Sequence, residues 1–110
     1  MVYQYNKLVR DKIVENIKSK GHQCQYRQLD DQEFLAELDK KLMEETKEVM
    51  EAHSAEEIGD LLEVIIAIMR EYNISDEQIK KAMKQKQEKN GVFHNRVFLI
   101  SVEEKDKERE

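Results

Sequence analysis

Apolar side chains recur along this chain at helical spacing, and the pattern divides most of it into amphipathic stretches. Ile13 and Ile17, with Gly21 as a stop, predict a first helix over residues 9–20. Residues 22–29 are polar and irregular and read as a connector. Asp30 and Asp31 are N-cap candidates for a long second helix ending near His53. Ser54 caps the next, with Glu57 completing a capping-box signature, and that helix extends to about Tyr72. A fourth begins at Ser75 and ends near Asn90 and Gly91.

After Gly91 the character changes. Val97, Phe98, Leu99 and Ile100 predict a terminal strand or extended arm within residues 92–102. Residues 103–110 are all charged and are expected to form a frayed tail. In the third helix Ile58, Leu61, Leu62, Val64, Ile65, Ile66, Ile68 and Met69 cover more than half the circumference, which predicts packing on several sides. The fold expected is all-α and four-helix bundle-like, a single domain over residues 1–102 with a short C-terminal extended segment.

Composition supports helices over a β-sandwich or barrel. Charged residues make up 39% of the 110, aromatics 6%, with no Pro, no Trp and three Gly. So few aromatics among so many charges predict a homo-oligomer, dimer or tetramer, that completes its core by self-association. The net charge of −5 argues against a general nucleic-acid binder, whose footprint would be basic. Cys24 is the single cysteine, so neither an intrachain disulfide nor a cysteine zinc site is available. The most apolar run, residues 64–69, falls far short of the roughly 20 residues of a membrane span. The polar start carries no signal core, and a cytoplasmic location is expected.

The chemistry lies in carboxylates of the second and third helices. Acidic residues on helices are ordinarily solvated surface, but the helical wheel separates these from that default. With Leu42 as origin, Leu38 lies at about −40° and Phe34 at about −80°, which puts Glu45, at about −60°, inside the apolar arc. Glu48, at about −120°, sits on its edge, whereas Glu44 faces outward. With Ile58 as origin, Val64 and Ile68 flank Glu57 at about −100°, and Asp60 lies at about −160° beside the same edge. Glu56 and Glu63 point to the far side. Each helix therefore aims an acidic pair at i, i+3 toward its buried flank, and the short turn at residues 53–55 folds the pairs together.

Four like charges so placed cannot all stay ionised without a compensating cation. Oxygen-only ligation suits Mg²⁺, with Mn²⁺ as a substitute, and the absence of His or Cys disfavours zinc. The competing account is a structural ion-pair network with Lys40, Lys41 or Lys47.

Glu44-Glu45-x-x-Glu48, followed after a short gap by Glu57-x-x-Asp60, resembles the signature of the all-α nucleoside triphosphate pyrophosphohydrolase superfamily. Tyr5-Asn6-Lys7-Leu8-Val9-Arg10-Asp11-Lys12-Ile13 looks like the N-terminal stretch of its phosphoribosyl-ATP pyrophosphohydrolase-like, MazG-related branch. Lys86-x-x-Lys89-Asn90-Gly91-Val92-Phe93 is similar to a Lys-x-x-Lys-Arg-Gly-Gly-Phe segment near the end of such proteins, with Asn90 in place of Arg and Val92 in place of the second Gly. The resemblance spans residues 3–100.

It implies that Glu45, Glu48, Glu57 and Asp60 hold Mg²⁺ and form the catalytic centre. The implied reaction hydrolyses a nucleoside triphosphate to the monophosphate and pyrophosphate, with house-cleaning of non-canonical nucleotides as one role. Lys7, Arg10, Lys12, Lys86 and Lys89 are the candidate substrate contacts, Arg10 foremost because a guanidinium forks onto phosphate oxygens. Asp11 is expected to pair with Arg10 or Lys7 or to cap the first helix. Asn6 is a candidate contact to base or sugar. Phe93 is read first as core, with a contact to base or sugar as its alternative, and Tyr3, Tyr5, Tyr26 and Tyr72 as packing or rimming the core. Two alternatives stand beside this reading. One is phosphoribosyl-ATP hydrolysis, whose extended histidine-pathway motif this chain lacks; the other is a non-enzymatic, metal-binding helical interaction module.

Overall fold

A computed structural model describes residues 1–105, and the remaining five residues of the charged tail lie outside the described residues. The described chain is all-α, with four helices and no strand. They are α1 (Ile13–Ser19), α2 (Asp31–Ala52), α3 (Ala55–Glu71) and α4 (Asp76–Asn90). Two compact units are formed, Met1–Ser75 and Asp76–Glu110.

The first unit is built on a helical hairpin. Asp30 caps α2 through a complete capping box: its carboxylate accepts from the Glu33 N–H at 2.8 Å, and the Asp30 N–H donates back to Glu33 Oε1 at 3.4 Å. Arg27 forks onto the same Glu33 carboxylate at 2.8 and 3.1 Å, tying the connector to the helix start. The Arg27 guanidinium, with the Asp30 N–H, holds the Glu33 carboxyl down at about 2.

α2 ends where His53 enters the left-handed region at φ 48°, its N–H bonded to Val49 O at 2.8 Å. Ser54 then starts α3 by accepting from the Glu57 N–H at 3.1 Å. Reversal within two residues sets α3 antiparallel against α2, as the short gap predicts. Within this unit α2 and α3 are the helix pair in contact.

Their seam is narrow. Leu38 (3% exposed) and Val64 (8%) are the buried apolar side chains among the described residues. The expectation that α3 is packed on several sides is corrected: Ile58, Leu62 and Ile66, at i, i+4, i+8, form an exposed stripe because α2 covers one flank only.

Three local expectations also change. α1 begins at Ile13 rather than near residue 9, and Lys12 at its N-cap supplies no side-chain hydrogen bond. Without such a cap the orphan N–H groups of a longer helix would go unmet, and the preceding residues instead carry ion pairs to α2 and α3. Asp11 neither caps α1 nor takes Arg10 or Lys7, whose partners are Asp60 and Glu44. Of the box expected at Ser54, the half in which Ser54 accepts from the Glu57 N–H is formed, while the Glu57 carboxylate lies beside those of Glu45 and Asp60.

In the second unit α4 is a polar helix, with Ile79 half-buried and Met83 exposed. The segment that follows has no regular structure, so the strand alternative for residues 92–102 is set aside. Phe93 is fully exposed rather than core, and Val97, Phe98, Leu99 and Ile100 are exposed as well. Tyr3, Tyr5, Tyr26 and Tyr72 are likewise mostly exposed, since a two-helix seam has little rim for them to cover. No helix among the described residues is long and apolar enough to cross a membrane.

Candidate metal centre

Glu45, Glu57 and Asp60 each bring a carboxylate oxygen to within 4.8 Å of the others. Two helices supply them. Glu45 projects from the apolar face of α2, and its side chain is only 12% exposed. Glu57 and Asp60, one turn apart near the start of α3, are half-buried. Glu48, one turn beyond Glu45, is half-buried too and stands close enough to act on Glu57. The wheel positions of these four acids thus translate into proximity, with Glu45, Glu57 and Asp60 forming the tight group.

Crowding has an electrostatic consequence. The Glu57 carboxyl is pushed above its usual range, first by burial and then by the negative charges of Glu48, Asp60, Glu45 and Glu56. Acidic neighbours that disfavour the charged form of Glu57 equally favour a cation beside it.

Cationic side chains already approach it. Arg10 donates from Nη2 to Asp60 Oδ1 at 2.7 Å. Lys41 Nζ lies 3.5 Å from Glu45 Oε1 and 3.5 Å from Glu44 Oε1, and Lys7 reaches Glu44 Oε1 at 3.4 Å. Glu44 is therefore not simply water-facing; it holds two lysines at the edge of the cluster. Of the ion-pair candidates on α2, Lys41 joins the acids, whereas Lys40 bonds Glu37 at 2.8 Å. The i, i+4 spacing of Lys41 and Glu45 signals that contact locally. Nothing local signals the pairing of Arg10 with Asp60.

The remaining candidates are placed as follows. Lys12 is exposed at the N-cap of α1. Lys86 and Lys89 are exposed on α4, in the second unit. Two surface hollows are lined by other residues, one by the 90–97 segment and one by Asp11, Phe34, Ala67, Arg70 and Glu71.

The donor set can be tested against a hard cation. Around Mg²⁺ oxygens sit about 2.1 Å from the ion, which places them roughly 3 to 4.2 Å from each other. The oxygens of Glu45, Glu57 and Asp60 lie within 4.8 Å of one another, slightly wider than that range. The residues fit the ion in donor type, and their oxygens gather close to its spacing.

Protein-family models, curated proteins and solved structures yield no match to the chain.

Proposed function

We propose that this protein is a Mg²⁺-dependent nucleoside triphosphate pyrophosphohydrolase of the MazG-like, all-α kind, releasing a nucleoside monophosphate and pyrophosphate. One observation carries the reading: the convergence of Glu45, Glu57 and Asp60 from two facing helices, with Glu48 beside them. The sequence motifs that resemble the superfamily contain these same positions.

A divalent ion held there supplies Lewis-acid polarisation of phosphate oxygens and an acidified water. The chain's residues do the rest. Glu45, Glu48, Glu57 and Asp60 hold and orient the ion. Arg10, with Lys7 and Lys12 on the same N-terminal segment, draws the polyphosphate toward the acidic helix pair and spreads the charge of the departing pyrophosphate. For Lys86 and Lys89 a phosphate-binding role rests on the motif resemblance alone. Non-canonical nucleotides are the proposed substrate class, in a house-cleaning role.

The apolar stripe of Ile58, Leu62 and Ile66 supports a homodimer or homotetramer. A unit whose described residues include two buried apolar side chains has too little core to stand alone, and a second copy meeting this stripe extends it.

A second reading is favoured by the Arg10–Asp60 and Lys41–Glu45 pairs: the acids serve a structural ion-pair network on a binding module. Purified protein with Mg²⁺, tested on canonical and modified nucleoside triphosphates and on phosphoribosyl-ATP, separates the readings. The hydrolase reading expects pyrophosphate release that is lost in Glu45→Gln and Asp60→Asn while helicity is retained. Absence of release from every substrate supports the binding module, and preference for phosphoribosyl-ATP redirects the substrate assignment.

A further inference from the structure

Arg10 has two claims on it. The proposed hydrolase needs its guanidinium for phosphate, yet the structure seats it on Asp60, one of the three carboxylates that gather for a cation. The contact is built across fifty positions of sequence, from a non-helical segment to the first turns of α3.

The bond is poised to exchange. Arg10 is 59% and Asp60 37% exposed, so the pair is solvated and contributes little to stability. Among the described residues the guanidinium engages through Nη2 alone, which leaves donors of its planar fork for another acceptor. A divalent ion shared by several carboxylates outcompetes one exposed monovalent contact, because it meets Glu45, Glu57 and Asp60 together.

We propose that Arg10 is an exchangeable counterion: it neutralises Asp60 until a divalent cation takes that carboxylate, and then turns its fork onto the phosphate oxygens of the incoming substrate. The order of binding follows, cation first and polyphosphate second. This inference rests on the metal-dependent reading above and adds to it the order of events.

The experiment measures Mn²⁺ binding by electron paramagnetic resonance, then pyrophosphate binding by calorimetry with and without Mn²⁺. Wild type is compared with Arg10→Ala and Arg10→Lys. Exchange predicts that Arg10→Ala binds Mn²⁺ about two- to fivefold tighter, as expected for removing a weak competing ion pair. The same variant binds pyrophosphate at least tenfold more weakly when Mn²⁺ is present. Arg10→Lys restores the competition, with Mn²⁺ affinity near wild type, but not the fork, so its pyrophosphate affinity stays reduced. In wild type, pyrophosphate binds only after Mn²⁺. Mn²⁺ affinity that is unchanged or weaker in Arg10→Ala overturns the exchange while leaving the metal site standing. Wild-type protein that binds no Mn²⁺ overturns the metal reading itself, and the exchange with it.

Discussion

Glu45 on α2 and Glu57 on α3 bring carboxylate oxygens within 4.8 Å of each other across the helical hairpin, with Asp60 in the same group. Facing acids are unfavourable in a folded protein unless something neutralises them, and Glu57 bears the strain: its carboxyl is raised by burial and by its acidic neighbours. A raised carboxyl binds its proton more tightly folded than unfolded. Its contribution to stability is therefore complete below the ordinary value of 4.5 and is lost as pH rises through the raised one.

The first prediction concerns that loss. Without divalent cation, Glu57→Gln raises the melting temperature at pH 7 above wild type, and the difference shrinks as pH falls toward 4.5. Thermal denaturation followed by circular dichroism across pH 4 to 8 checks it. Equal melting temperatures at every pH contradict the electrostatic account of the site.

Added metal is predicted to offset the same repulsion. Mg²⁺ at a hundredfold excess over its dissociation constant stabilises the wild type by about 2.7 kcal/mol, through binding the folded state alone. Asp60→Asn and Glu45→Gln lose most of that gain. A melting temperature indifferent to Mg²⁺ but responsive to monovalent salt points instead to a solvated acidic surface.

Much of this was legible in the chain itself. The α2, α3 and α4 boundaries follow from Asp30, His53, Ser54 and Asn90, because caps and turns are local signals. The pairing of the i, i+3 acids follows from helical periodicity and a two-residue reversal. The start of α1 did not, since residues 1–12 are held by Lys7 to Glu44 and Arg10 to Asp60, contacts 37 and 50 positions apart that leave no periodic trace. Nor did the exposure of Ile58 and Leu62: an apolar face says that something covers it, not whether the cover lies in the same chain.

That stripe yields a prediction about assembly. Light scattering on the purified protein gives a dimer or tetramer, and Leu62→Glu shifts it toward monomer with loss of helicity, because a charge replaces an apolar contact at the stripe's centre. A wild-type monomer with full cooperativity contradicts the assignment.

The small core makes the hairpin sensitive. Leu38→Ala costs about 2–5 kcal/mol, a large share of any small unit's stability. Met43→Ala, exposed on the same helix, changes stability by no more than about 0.5 kcal/mol. Urea denaturation of both variants gives the comparison.

The start of α2 gives an independent acid-side prediction. Asp30→Ala removes the capping box at a cost of about 1 kcal/mol. Glu33, held down at about 2, stabilises the fold above 4.5 and loses that contribution as pH falls from 4.5 through about 2. Arg27→Ala returns Glu33 toward its ordinary value and flattens the acid limb of the stability curve; an unaltered limb removes Arg27 from the account.

The most direct test of the centre is a crystal grown with Mn²⁺ and measured for anomalous scattering. The account predicts a peak bounded by Glu45, Glu57 and Asp60, with Glu48 adjoining. Ordered helices with no peak there, and with Lys41 and Arg10 still seated on the acids, would contradict it.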